Sequence, residues 1–266
     1  MSVIELDGVY KAYPNAKGDV ARIVLKNISL KIEENEFVCI VGSSGCGKTT
    51  MLNLMAGFEK PNLGKLYYRG EEITQTSPER AVVFQEFSLF PWMNVHKNVE
   101  FSIDREKYSK EERAEIAEKY IKLVGLSDFA DHRPTNLSGG MKQRVAIART
   151  LAMQPDVLLM DEPFSALDEQ TRKKLDDEIL DIWKKDKRTV VFITHNINEA
   201  LQLATRVIML STCPGEVVAE WRIEDEDRDP NSQRMIKLKD EIIDMLQPCS
   251  CVVRPVIEIK QQEEEK

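Results

Sequence analysis

Phe37-Val38-Cys39-Ile40-Val41-Gly42-Ser43-Ser44-Gly45-Cys46-Gly47-Lys48-Thr49-Thr50 is the stretch that decides the fold. Five apolar residues run straight into a glycine-rich loop, and Thr50-Met51-Leu52-Asn53-Leu54-Met55 continues it as a helix. A strand covered on both faces is apolar along its whole length, as strands of parallel sheets are. The loop matches the phosphate-binding pattern Gly-x-x-x-x-Gly-Lys-Thr in full. Its glycines let the backbone curl so that successive N–H groups face phosphate oxygens, and the helix N-terminus adds positive partial charge. Lys48 is expected at the β- and γ-phosphates, the Thr49 hydroxyl at Mg²⁺, and Thr50 near the α-phosphate.

Working outward, Ala81 to Phe84, Val157 to Met160, Val190 to Ile193 and Val207 to Leu210 read as further buried strands beside polar or glycine-containing loops. The fold class is therefore α/β, a parallel sheet flanked by helices. Val3 to Tyr10 and Ile23 to Ile32 alternate apolar with polar residues, which predicts an N-terminal antiparallel β subdomain. From Phe87 to Thr135 the strand pattern stops, and Ala114, Ala117, Ile121 and Val124 fall on one helical face, which predicts a helical insertion. Met235 to Leu246 reads as an amphipathic helix, Glu224 to Pro230 as a charged loop, and Gln261 to Lys266 as a solvated tail. The expected boundaries are a core domain over 3–235, with its helical subdomain at 86–140, and a C-terminal extension of unknown role over 236–266.

The chain has 266 residues, enough to bury a large core without metal or disulfide staples. A net charge of −8 lacks the basic excess that a phosphate backbone requires, so nucleic acid is not an expected partner. No apolar run approaches the roughly 20 residues of a membrane-spanning helix, and Met1 to Tyr13 does not read as a secretory signal. The five scattered cysteines suit reduced thiols in the cytosol, and Cys249-Ser250-Cys251 has no companion ligands for a metal site. Cys46, between Gly45 and Gly47 and immediately ahead of the helix begun near Lys48, is expected to have a lowered thiol pKa; the alternative is a small buried filler.

Val157 to Met160 runs into Asp161-Glu162, an apolar strand closed by two carboxylates. Asp161 suits the Mg²⁺ shell, and Glu162 suits a general base for an attacking water. Asn136-Leu137-Ser138-Gly139-Gly140-Met141-Lys142-Gln143-Arg144 opens a second helix with glycines, which makes a second anion-facing N-terminus. One nucleotide has little use for two such ends in one chain. A dimer, in which this segment closes over the γ-phosphate held by the other copy, is the economical reading.

These segments resemble the ATP-binding cassette (ABC) transporter ATPases, over roughly Val3 to Leu210. The resemblance implies ATP and Mg²⁺ as ligands, and phosphate-facing roles for Ser138 and the Gly139 and Gly140 amides. It further implies that Gln85 touches Mg²⁺ and senses a membrane subunit, and that Asp168, in Ser165-Ala166-Leu167-Asp168, couples the two sites of the dimer. It places His195 at the γ-phosphate and Tyr13 against adenine, with Tyr10 as a nearby competitor. Met141 replaces the usual signature glutamine, and Asn35-Glu36 replaces Gly-Glu, where Asn tolerates positive φ.

Leu89-Phe90-Pro91-Trp92, Ile182-Trp183, Pro214-Gly215 and Met141 are similar to the nitrate, sulfonate and taurine importer branch. Importers of thiamine precursors share much of this pattern, and a soluble ABC ATPase of cofactor assembly is the rival from another class. The implied setting is the cytoplasmic face of the membrane, with a transmembrane permease docked and an extracytoplasmic solute-binding protein acting indirectly. Phe87, Leu89, Phe90, Trp92 and Met93 are expected to be partly core and partly a docking surface for the permease.

Overall fold

The computed structural model describes residues 2–14, 21–165, 167–186, 188–224 and 232–246. The expectations for Ala166, for most of the charged loop and for 247–266 with Cys249 and Cys251 lie outside the described residues. In chain order the elements are β1 (Ser2–Pro14), β2 (Ala21–Glu33), β3 (Phe37–Val41), α1 (Lys48–Ala56), β4 (Leu63–Tyr68), β5 (Glu71–Glu72) and β6 (Arg80–Val83). Then come α2 (Val95–Glu100), α3 (Lys110–Leu123), α4 (Gly139–Ala152), β7 (Val157–Asp161), α5 (Glu169–Asp186), β8 (Thr189–Ile193), α6 (Ile197–Leu203), β9 (Arg206–Leu210), β10 (Val217–Arg222) and α7 (Gln233–Met245). Each expected strand and the last helix is present; β1 runs four residues past Tyr10 to Pro14, and the other ends move by a residue or two as fraying termini allow.

The chain divides into two compact units. The first uses the described parts of Met1–Glu34, Val38–Thr76 and His195–Lys266. In it β1 pairs antiparallel with β2 and with β4, as the alternation of apolar residues predicts. Val3, Ile4, Leu6 and Val9 of β1 and Leu25, Ile28, Leu30 and Ile32 of β2 are buried. Here too β3 pairs parallel with β9 in the register Cys39 to Val207, and β10 runs antiparallel to β9. Helix α7 buries Met235 and Ile242.

The second unit comprises Asn35–Phe37 and Ser77–Thr194. Strands β6, β7 and β8 pair in parallel, their apolar runs wholly or largely buried. Phe192 sits between Phe37 and Phe164, with ring centroids 5.9 and 5.8 Å away. Asn35 adopts φ 63°, so the replacement of Gly is accommodated, and its amide donates to Thr189 Oγ1 at 3.1 Å. The insertion is helical: α3 starts at a capping box of Ser109 and Glu112 and buries Ala117, Tyr120 and Ile121. Buried Asn98 accepts from the Phe90 amide at 2.9 Å and donates to the carbonyls of Phe90, Met93 and Asn94. That amide fixes the loop ahead of α2, because a buried carboxamide is tolerated only when satisfied.

Candidate functional site

In the first unit the glycine-rich loop joins β3 to α1. Gly47 has φ 103°, and a Cβ there would lie 2.6 Å from Leu25 Cδ2, so no other residue fits. Gly47 is also the N-cap of α1, and no side chain caps that end, which leaves the first-turn amides to an incoming anion. Lys48 is buried, and its ammonium donates to the Gly42 carbonyl at 2.8 Å and the Ser43 carbonyl at 3.1 Å. Ser44, Gly45 and Thr49 are exposed, while Ser43 and Thr50 are half-buried. A cation held over a curl of backbone, before an uncapped helix start, fits a polyphosphate.

Cys46 corrects the expectation of a reactive thiol. It is 1% exposed, and burial pushes its pKa up, overriding Lys48, whose Nζ lies 4.0 Å from the sulfur. The linear neighbours suggested a thiolate, but the loop is packed from beneath by residues remote in sequence. A Cβ on Gly215 would come 2.2 Å from the Cys46 carbonyl oxygen, and the Gly215 amide donates to Val24 O at 2.8 Å. In the sequence Gly215 is no more than a branch marker, because its support of the loop depends on β2 and the phosphate loop meeting in the fold. Of Cys39, Cys46 and Cys213, only Cys213 is partly exposed. Alkylation mapped by mass spectrometry should therefore find Cys213 labelled first and the other two protected with or without MgATP. Labelling of Cys46 at the rate of Cys213 in the native protein would contradict the burial.

Tyr13 donates its hydroxyl to Glu59 Oε2 at 2.5 Å and is also hydrogen-bonded to Thr50, in the first turn of α1. Burial, with the Glu59 contact, raises the Tyr13 pKa. Burial alone would raise Glu59 too, but the hydrogen bonds from Tyr13 and Lys11 hold its carboxyl below the ordinary value. Tyr10, the competitor, is a ladder residue of β1 paired with Leu63. His195 is exposed and immediately precedes Asn196, whose side chain caps α6 through the amides of Asn198 and Glu199.

In the second unit, Gln85 follows β6, and its Nε2 donates to Ser165 Oγ at 3.2 Å. The Ser165 hydroxyl in turn donates to the Glu162 carbonyl at 3.0 Å. Asp161 ends β7 half-buried, and Glu162 follows with φ 42°, its amide bonded to the Ile193 carbonyl at 3.0 Å. A non-glycine residue in the left-handed region at a strand end is a costly conformation that its surroundings must impose. The Asp168 carboxylate accepts from the Thr171 amide at 3.0 Å, in the first turn of α5, and such contacts hold its pKa down. Ser138 caps α4 by accepting from the Met141 amide at 3.3 Å. Gly140 lies where a Cβ would be 3.0 Å from Thr171 Cγ2, which brings the start of α4 against α5. So this unit gathers Gln85, Ser165 and Glu162 in one hydrogen-bonded chain and sets the glycine-opened helix beside the Asp168 turn.

The apolar cluster after Gln85 is mixed, as expected. Trp92 is 67% exposed, whereas Phe87, Leu89, Phe90 and Met93 are half-buried. Phe90 packs on Trp92 and Phe101 at centroid distances of 5.6 and 4.7 Å. Arg149 of α4 donates to the Ser88 carbonyl at 2.7 Å and sits 5.7 Å from the Phe90 ring, a support that its place in a helical run of sequence did not reveal.

The family model described as ABC transporter matches residues 25–165. An uncharacterized ABC transporter ATP-binding protein of Methanocaldococcus jannaschii is 48% identical over 84% of each chain. The nitrate import ATP-binding protein NrtD of Synechocystis is 42% identical over 94% of this chain and 95% of its own. The bicarbonate transport ATP-binding protein CmpD of Synechocystis is 42% identical over 91% of this chain and 88% of its own. Among solved structures, the dimeric structure of MJ0796, a bacterial ABC transporter cassette, superimposes with TM-score 0.74 at 37% identity, over 83% of this chain and 99% of that one. The same cassette in a post-hydrolysis state, bound to ADP and Pi, gives TM-score 0.73 at 37% identity over the same shares.

Proposed function

Because the chain belongs to the ABC transporter ATPase family, within its nitrate and bicarbonate branch, we propose that it drives uptake of a small oxyanion through a separate permease. ATP hydrolysis goes with that family, and the similar cassettes are dimeric. In this reading the Gly42 to Thr50 loop and Lys48 hold the phosphates, Tyr13 the base, and His195 the γ-phosphate. Glu162 orients the attacking water and takes its proton. Ser138, Gly139 and Gly140 serve the nucleotide of the other copy, and Asp168 relays between the two. Thr49, Gln85 and Asp161 present hard oxygen donors of the kind Mg²⁺ prefers. Mg²⁺ would supply neutralisation of phosphate charge; everything else in the reading belongs to the chain's own residues.

The observation that carries the transport reading is the hydrogen-bonded chain Gln85, Ser165, Glu162, which starts at the head of the loop bearing exposed Trp92 and ends at the main-chain carbonyl of the proposed base. Docking on the loop that follows Gln85 would thereby bear on the main chain at Glu162. Nitrate and bicarbonate are both planar monoanions with three oxygens, and that shared chemistry defines the solute class. Contacts to the solute belong to the permease and to an extracytoplasmic binding protein. Affinity purification from solubilised membranes tests this. A polytopic permease should co-purify, and ATPase activity of the reconstituted complex should rise with binding protein loaded with nitrate or bicarbonate. Recovery solely from the soluble fraction, or stimulation only by an unrelated solute such as a thiamine precursor, would defeat it.

A further inference from the structure

We propose that Glu59 is a positioning residue for the nucleotide base, a strut that fixes the Tyr13 ring relative to the phosphate-loop helix. The proposal rests on the reading of Tyr13 as the base platform. Tyr13 stands near the end of β1, where a ring otherwise keeps two free torsions that binding must freeze. Its hydroxyl is held by Glu59 Oε2 at 2.5 Å. The same oxygen lies 2.9 Å from Lys11 Nζ, and Lys11, two residues earlier on the strand, shares the face of Tyr13. The Lys11 ammonium also donates to the Lys60 carbonyl at 2.9 Å and lies 5.0 Å from the centre of the Tyr13 ring. One face of the ring is thus covered by the lysine, and in the platform reading the base takes the other.

The remaining Glu59 oxygen accepts from Asn53 Nδ2 at 3.3 Å, and the amides of Phe58 and Glu59 both bond to the Asn53 carbonyl. Asn53 belongs to α1, which begins at Lys48. One carboxylate therefore ties the aromatic platform to the helix whose first turn forms the phosphate cradle. Platform and cradle are both set before the ligand arrives, which lowers the ordering cost of binding. The carboxyl, held below the ordinary value, stays ionised across the neutral range, so the strut is always engaged there.

Affinities for ATP and for inorganic tripolyphosphate, measured by calorimetry on variants with parent melting curves, separate base positioning from a general effect on the loop. Glu59→Ala should weaken ATP about three- to tenfold, the cost of ordering one side chain, and change tripolyphosphate by less than about twofold. Tyr13→Phe should reproduce the loss, and the double variant should be no worse than either, as for groups acting as one unit. Glu59→Gln keeps an acceptor for the hydroxyl and should stay near the parent. Equal losses for both ligands would make Glu59 a mere brace of the loop and overturn the proposal. So would parent ATP affinity in Glu59→Ala while Tyr13→Ala binds weakly. If Tyr13→Ala itself binds ATP normally, the platform reading fails first and the proposal falls with it.

Discussion

Glu162→Gln is expected to bind ATP as the parent does but to turn it over on the order of 10²-fold or more slowly, because the amide cannot take the proton of the attacking water. The substitution is nearly isosteric, and the amide of residue 162 still bonds to the Ile193 carbonyl, so the left-handed turn at the end of β7 should survive. With binding kept and cleavage lost, the ATP-stabilised dimer should accumulate. Size-exclusion chromatography with and without ATP reads that species, and a coupled assay reads the rate. Hydrolysis at the parent rate would remove Glu162 from its assigned role.

Trp92→Asp should abolish recovery of the permease complex while sparing nucleotide binding by the isolated chain. The side chain is 67% exposed, so a carboxylate there stays in water and the fold bears little cost. On a docked surface the same carboxylate would be buried without a partner, a strongly unfavourable arrangement. Co-purification from membranes, compared with ATP binding by the variant, makes the distinction. An intact complex with full transport would mean that the aromatic cluster is not the contact.

The phosphate loop, the strand closing in Asp161-Glu162 and the glycine-opened α4 were legible because each is local: its chemistry depends on residues adjacent in sequence. The same holds for Asn35, whose positive φ follows from its replacing glycine in a tight turn. What escaped depends on neighbours brought together by the fold. Lys48 and a helix start beside Cys46 suggest a thiolate, yet burial raises the thiol instead. Glu59 carried no signal, since nothing in Phe58-Glu59-Lys60 announces that β1 will deliver a tyrosine hydroxyl to it. Arg149 looked like one more helix cation, and its hold on the loop carbonyls depends on the path of residues 87–90.

The pairing of β3 with β9 has a consequence in time. The N-terminal hairpin of β1 and β2 is local and can close while the chain is still being made, whereas Cys39 waits for Val207. Loop-closure entropy makes such distant pairing slow, and synthesis delays it further. Gly42 also packs beneath the Leu210 carbonyl, and the Cys46 carbonyl against Gly215, so the last supports of the phosphate loop leave the ribosome late. The nucleotide motif is thus synthesised well before the residues that pack against its loop.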